Sequence, residues 1–271
     1  MSGAPGDAQL EAREATGGAS VEILEMRVDA VSPPEAVRRI VEFPEGGCVL
    51  TPNLEHLRAY RRSAAVRRAF KACDLVVADG MPLIWASRLQ GTPLPARVAG
   101  SDLVWSLSAA AAERGRSLFL LGGDPGTADA AEAELCERFP GLRVAGTHCP
   151  PRGFEDSEAA LAAIDAKLEA AAPDIVYIGL PLEKQLLLME RLRPILPSAW
   201  LIGLGGSFSM VSGDVRRAPA WAQRGGLEWA FRLGQEPRRL GRRYLIEGLP
   251  FFVGLIAQSA GRRLTDTSPT A

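Results

Sequence analysis

The chain has 271 residues, 47% of them hydrophobic, 23% charged and 6% aromatic, which excludes a disordered or fibrous protein and suffices for one large domain or two small ones. A formal net charge of −1 excludes a globally basic coat for nucleic acid, so no nucleic-acid partner is expected. The charge is unevenly placed: residues 1–46 carry nine acidic side chains against four arginines, whereas residues 216–243 carry eight arginines against Glu228 and Glu236. The second segment calls for an anionic partner.

In chain order, MSGAPGDAQLEAREATGGAS is polar and acidic with no apolar core, neither a signal peptide nor a membrane anchor, and residues 1–19 read as a disordered tail. From there short apolar β-branched runs alternate with helical periodicity, the grammar of βαβ units and a mainly parallel sheet. Strands are predicted at Val21–Val28, Cys48–Thr51, Leu75–Ala78, Ser117–Leu121, Arg143–Thr147, Ile175–Ile178 and Trp200–Leu204. Helices are predicted between them at Pro34–Phe43, Glu55–Ala72, Pro82–Leu89, Ser101–Arg114, Gly126–Phe139, Ser157–Ala171 and Leu182–Ile195. An α/β domain over 20–206 is followed by a helical appendage over 207–258, broken into two or three short helices at Gly225-Gly226, Pro237 and Pro250, and by a second disordered tail over 259–271. The apolar stretch Leu245 to Ala257 is too short for the ~20 residues of a spanning helix, so it is expected to lie on a membrane and not to cross it.

Four scattered cysteines without a CxxC pair, and only His56 and His148, leave no zinc spacing; a reduced, cytoplasmic protein is the expectation. In an open parallel sheet ligands gather at the carboxyl ends of the strands, which directs attention to the residues that close each apolar run. Asp79 ends one run and precedes Gly80, a position suited to a general base but equally to capping the next helix. Thr51 and Asn53 lie two apart in extended chain and share a face, although Asn53 is also well placed as a helix cap. Gly122-Gly123 leads into a helix and offers backbone amides to a phosphate. Gly205 and Gly206 follow the last strand as GxGG, which disfavours a nicotinamide fold built on GxGxxG at the first strand. Arg97 is a lone loop cation, and Gln185 lies in a first helical turn; a solvated surface role is the plain alternative for each. The arginine-rich tail, interleaved with Trp221, Trp229, Phe231, Tyr244, Phe251 and Phe252, suits anionic lipid or a lipid-linked phosphate, or else a basic face packed on the domain.

Together the motifs Thr51-Pro52-Asn53, Ala78-Asp79-Gly80-Met81, Arg97 to Leu103, Leu121-Gly122-Gly123, Pro150-Pro151 and Gly205-Gly206-Ser207-Phe208 resemble those of the WecG/TagA/CpsF glycosyltransferases, glycosyltransferase family 26. The run from Arg217-Ala218-Pro219 through Gly226-Leu227-Glu228-Trp229 to Arg242-Arg243-Tyr244 resembles that family's closing signature, and the likeness spans about residues 22–255. The resemblance implies a Rossmann-like α/β fold and an inverting transferase. Such an enzyme moves N-acetylmannosamine or a related hexose-type sugar from a UDP-sugar donor to a polyprenyl-diphosphate-linked acceptor on the inner face of the plasma membrane, in teichoic acid or exopolysaccharide synthesis. It implies Asp79 as base, and Thr51, Asn53, Arg97 and Gln185 as substrate-binding residues. From the appendage it implies Arg216, Arg217 and Arg224 as diphosphate contacts. No metal or cofactor is implied, arginines and amides neutralising the leaving diphosphate. Nothing in the sequence opposes a homo-oligomer. The chain departs from the family at Leu182-Glu183-Lys184-Gln185-Leu186, where GxPKQE is usual, and at Ser209, where an acid usually follows GGSF. A non-catalytic membrane scaffold of the same fold and a redox nucleotide-binding enzyme are the rival expectations.

Overall fold

The computed structural model describes residues 18–219, 221–222 and 226–266. Arg224 and residues 1–17 and 267–271 of the two expected tails lie outside the described residues. The first elements are β1 (Ser20–Ile23) and β2 (Met26–Asp29), an antiparallel hairpin where one strand over Val21–Val28 is predicted. Leu24 and Glu25 both take positive φ, 48° and 68°, the conformation of a two-residue hairpin turn. Such a turn is normally announced by Asn or Gly, so apolar Leu24 concealed it.

Among the described residues six further strands form one sheet: β3 (Gly47–Leu50), β4 (Leu75–Val76), β5 (Ser117–Gly122), β6 (Arg143–His148), β7 (Ile175–Gly179) and β8 (Trp200–Gly203). Their order is β4-β3-β8-β7-β5-β6 and every pairing is parallel, as an α/β, Rossmann-like chain requires. The inner strands are buried on both faces, which is why they read as continuous apolar runs. Their side chains alternate between two cores: Phe119, Leu121, Val176 and Ile178 enter one layer, and Leu118, Leu120, Ile175 and Tyr177 the other.

The chain leaves β5 toward the edge strand β6 but leaves β7 the opposite way, toward β8. The two connections diverge at the carboxyl ends of β5 and β7, the rim along which open parallel sheets form their binding crevice. The helices that matter for it are α1 (Leu54–Arg62), α2 (Ala64–Ala72), α3 (Met81–Leu89), α4 (Gly100–Glu113) and α5 (Leu182–Leu192). A single helix over Glu55–Ala72 is interrupted because Ser63 is extended and its hydroxyl accepts from the Val66 N–H, starting a second helix.

The body does not end at residue 206. Phe208 and Val211 are buried in the second core, and Phe208 packs against Gly179 and Gly123. The C-terminal segment then forms α6 (Glu228–Gln235), α7 (Pro237–Gly241), a π-helical stretch (Arg242–Gly248) and α8 (Leu249–Asp266). Pro237 starts a helix as expected, but Pro250 does not end one. In the π stretch each N–H reaches back five residues, as Leu249 N–H does to Tyr244, and the widened turn accommodates a proline that has no N–H of its own. Arg242–Arg263 is consequently one 22-residue helix, long and apolar enough by length and composition to cross a membrane, where the sequence predicts a shorter apolar stretch from Leu245 to Ala257. It runs on through 259–266 because Leu255 and Ser259 are buried against the body.

Candidate active site

The ends of β3, β4 and β8 meet at one rim. The Asp79 N–H donates to the Pro52 carbonyl at 2.9 Å, and the Val98 N–H donates to the Ala78 carbonyl at 2.8 Å, so the loop carrying Arg97 runs beside the end of β4. Thr51, almost fully buried, donates its hydroxyl to the Gly203 carbonyl at 3.0 Å and ties the ends of β3 and β8. Gly100 approaches both; a Cβ there would lie 3.2 Å from Thr51 Oγ1 and 3.6 Å from Asp79 Oδ2, so the approach depends on its bare backbone.

Asp79 does not cap the helix that follows it; Oδ2 instead accepts from the Gly100 N–H at 3.2 Å, at the N-terminus of α4. The carboxyl is partly buried, and burial pushes its pKa up to about 7 against the opposing pull of the Gly100 N–H and the Arg97 guanidinium, with Glu228 and Asp102 raising it further. A carboxylate poised there accepts a proton efficiently near neutrality. The same burial has a cost. In the unfolded chain Asp79 ionises near 3.8, so between about pH 4 and about pH 7 the folded state holds a proton that the unfolded state has lost, and stability declines as pH rises. Asp79→Asn is therefore expected to be more stable than the native chain at pH 8, on the order of 1–2 kcal/mol after allowance for residual solvent, with the gap closing near pH 4; thermal melts at the two pH values check this.

Asn53 is the N-cap of α1, its Oδ1 accepting from Glu55 and His56 N–H at 3.0 and 3.2 Å. His56, which entered the sequence reading only as an unpaired zinc ligand, sits in the first turn of α1. Burial lowers its pKa to about 4, opposed by a bond to the Thr51 backbone, so it is neutral at pH 7, and its Nδ1 is buried without a protein partner. Its nearness to Thr51-Pro52-Asn53 was the available signal. Gln185 is 1% exposed; Nε2 donates to the Leu180 carbonyl at 2.5 Å and the carboxamide packs over Gly203, so it braces β7 against β8. Gly122 and Gly123 take φ of 108° and 80°, but the Gly123 N–H is engaged with the Gly179 carbonyl at 2.8 Å. Gly205 has φ of 55°, and Gly206 faces open space in the short turn after β8.

The C-terminal segment contributes directly to this rim. Arg97 Nη1 donates to Glu228 Oε2 at 2.9 Å and its Nη2 lies 3.5 Å from Asp102. Arg217 also pairs with Asp102 and has Ser101 Oγ at 3.5 Å, whereas Arg216 is exposed. Gly226 lies against Trp85 and Met81 of α3, Arg243 pairs with Glu55, and Arg58 pairs with Glu247 at 2.5 Å. Trp85 meets Phe252 edge to face at 5.9 Å. Among the described residues no three His, Cys, Asp or Glu side chains gather as a metal site would.

The family model described as "Glycosyl transferase WecG/TagA/CpsF family" matches residues 21–265. Among curated relatives, an N-acetylglucosaminyldiphosphoundecaprenol N-acetyl-beta-D-mannosaminyltransferase of Bacillus spizizenii is 32% identical over 202 residues, 73% of this chain and 75% of that protein. The protein of the same name from Bacillus subtilis is 30% identical over 198 residues, again 73% and 75% of the two chains.

Proposed function

Because the chain belongs to the WecG/TagA/CpsF glycosyl transferase family and is a glycosyltransferase, we propose that it moves N-acetylmannosamine or a related hexose-type sugar from a UDP-sugar to a sugar carried on polyprenyl diphosphate. The setting is cell-wall or extracellular polysaccharide synthesis on the inner face of the plasma membrane. Both named relatives are N-acetylmannosaminyltransferases acting on N-acetylglucosaminyldiphosphoundecaprenol. In this reading the reaction is one inverting displacement: an acceptor hydroxyl oxygen bonds to the anomeric carbon, the bond from that carbon to the UDP oxygen breaks, and the hydroxyl proton passes to Asp79. The rim that receives the substrates is shaped by Thr51, Asn53, Gln185, Gly122, Gly123, Gly205 and Gly206, and Arg97, Arg216, Arg217 and Arg224 are assigned to the diphosphate, whose developing charge such donors offset.

The observation that carries the reading is a partly buried carboxylate with its pKa pushed up to about 7 at the carboxyl rim of a parallel sheet, beside a segment rich in arginine. Membrane contact is supported by Leu245, Ile246, Leu249 and Val253, which stand 50–69% exposed on the C-terminal helix, with exposed Arg238 and Arg242 nearby. The test is UDP release from UDP-N-acetylmannosamine with and without N-acetylglucosaminyl-diphosphate on a prenyl chain. Acceptor addition is expected to raise release by about 100-fold or more. Equal release with and without acceptor, across a panel of UDP-sugars, would leave a non-catalytic scaffold as the better reading.

A further inference from the structure

Glu228 opens α6 and lies 131 residues from Arg97 in the chain, yet the two side chains meet at 2.9 Å and each is only 17% exposed. The C-terminal segment has other anchors: Arg243 on Glu55, Arg58 on Glu247, the Trp85–Phe252 contact and buried Leu255. What distinguishes the Glu228 pair is its position. Arg97 is one residue from Val98, whose N–H holds the end of β4, and three from Gly100, whose N–H holds Asp79 Oδ2. Loss of the pair would release the guanidinium and, with it, a loop whose next residues hold the end of β4 and Asp79 Oδ2. Asp102 alone cannot fix the guanidinium, since it lies 3.5 Å from Nη2 and also pairs with Arg217. Glu228 supplies the short, charge-assisted bond that sets the orientation.

We propose that Glu228 is a positioning residue for the transfer reaction: it fixes Arg97 beside Asp79, so that the base is aligned only when the C-terminal segment is seated. The role in transfer rests on the functional reading above. The placement of Asp79 does not, and it can be measured without substrate. The charged groups facing Asp79 are Arg97 from its neighbouring loop, Asp102 from the first turn of α4 and Glu228 from α6, with the Gly100 N–H as hydrogen-bond donor. Neutralising Glu228 removes an anion and leaves the Arg97 charge less shared, and both changes favour ionised Asp79.

The experiment follows the Asp79 carboxyl by 13C NMR titration of the full-length chain in the native protein and in Glu228→Gln, Glu228→Asp and Arg243→Gln. Glu228→Gln, which keeps the side-chain shape, is expected to lower the Asp79 midpoint by about half a pH unit or more. Glu228→Asp should move the midpoint back toward the native value, and Arg243→Gln, which loosens the segment at Glu55 only, should leave it unchanged. In the transfer assay Glu228→Gln is expected to lower kcat about 10-fold or more with the donor KM within about 3-fold, and to add less than about 2-fold in an Arg97→Gln background. An unmoved midpoint, equal movement in Glu228→Gln and Arg243→Gln, or fully multiplicative kcat losses would overturn the proposal. If the native chain transfers nothing, the functional reading fails while the titration still decides whether Glu228 positions the base.

Discussion

Asp79→Asn is expected to lower kcat by about 10²–10⁴-fold while UDP-sugar binding stays within a few-fold, the usual share of a positioned base. Asparagine keeps the shape of aspartate and can still accept from the Gly100 N–H, so the loop over residues 97–100 has no reason to move. What is lost is the capacity to take a proton as the acceptor oxygen attacks, a contribution made in the transition state and not in donor binding. Steady-state kinetics with donor and acceptor varied separately will divide the loss between kcat and KM. A variant with native turnover would remove Asp79 from the chemistry, and one whose KM alone rises would make it a binding residue. The gain in stability expected for the same variant at pH 8 is the other face of that role: a carboxylate placed for reactivity is held where ionisation is unfavourable.

The second large effect concerns the C-terminal helix. Replacing Ile246 and Val253 together by glutamate is expected to weaken association with anionic vesicles by about 10²-fold or more, since each gives up the burial of a branched aliphatic side chain, and to abolish transfer to a vesicle-borne acceptor. The two side chains are 69% and 59% exposed, so the fold should be untouched. Vesicle sedimentation measures the first effect. Turnover with a short-chain, water-soluble acceptor is expected to stay near native, which separates lost docking from lost catalysis. Full vesicle binding by the double variant would mean that this face does not meet the bilayer.

Most of the sheet was legible because its inner strands are buried on both sides, and the uninterrupted apolar runs of β5, β7 and β8 have no competing explanation. Asp79 was legible for the same reason, as a charged residue closing such a run. The hairpin at Leu24-Glu25 was hidden by a turn without glycine, and the break at Ser63 by helical periodicity that continues across it. The helix through Pro250 escaped because a local π-helical bond pattern admits a residue that ordinarily ends a helix. Within the candidate site, Asn53 caps α1, one of the two roles the local sequence allowed. Gln185 turned inward onto Leu180 and Gly203, a partnership set by the packing of β7 and β8 that spacing along the chain does not encode. The Arg97–Glu228 pair is the extreme case: two residues of ordinary surface type, far apart in sequence, become neighbours only when the C-terminal segment folds back over the rim.

The central claim is that Asp79 accepts the proton of the attacking hydroxyl, and the pH dependence of kcat/KM for transfer from about pH 5 to about pH 9 tests it most directly. The native chain is predicted to lose activity below a midpoint near pH 7, with the slope of one proton, as the carboxyl becomes protonated, and Asp79→Asn to lack that limb. A native profile that is level down to pH 5, or an identical acid limb in Asp79→Asn, would contradict it.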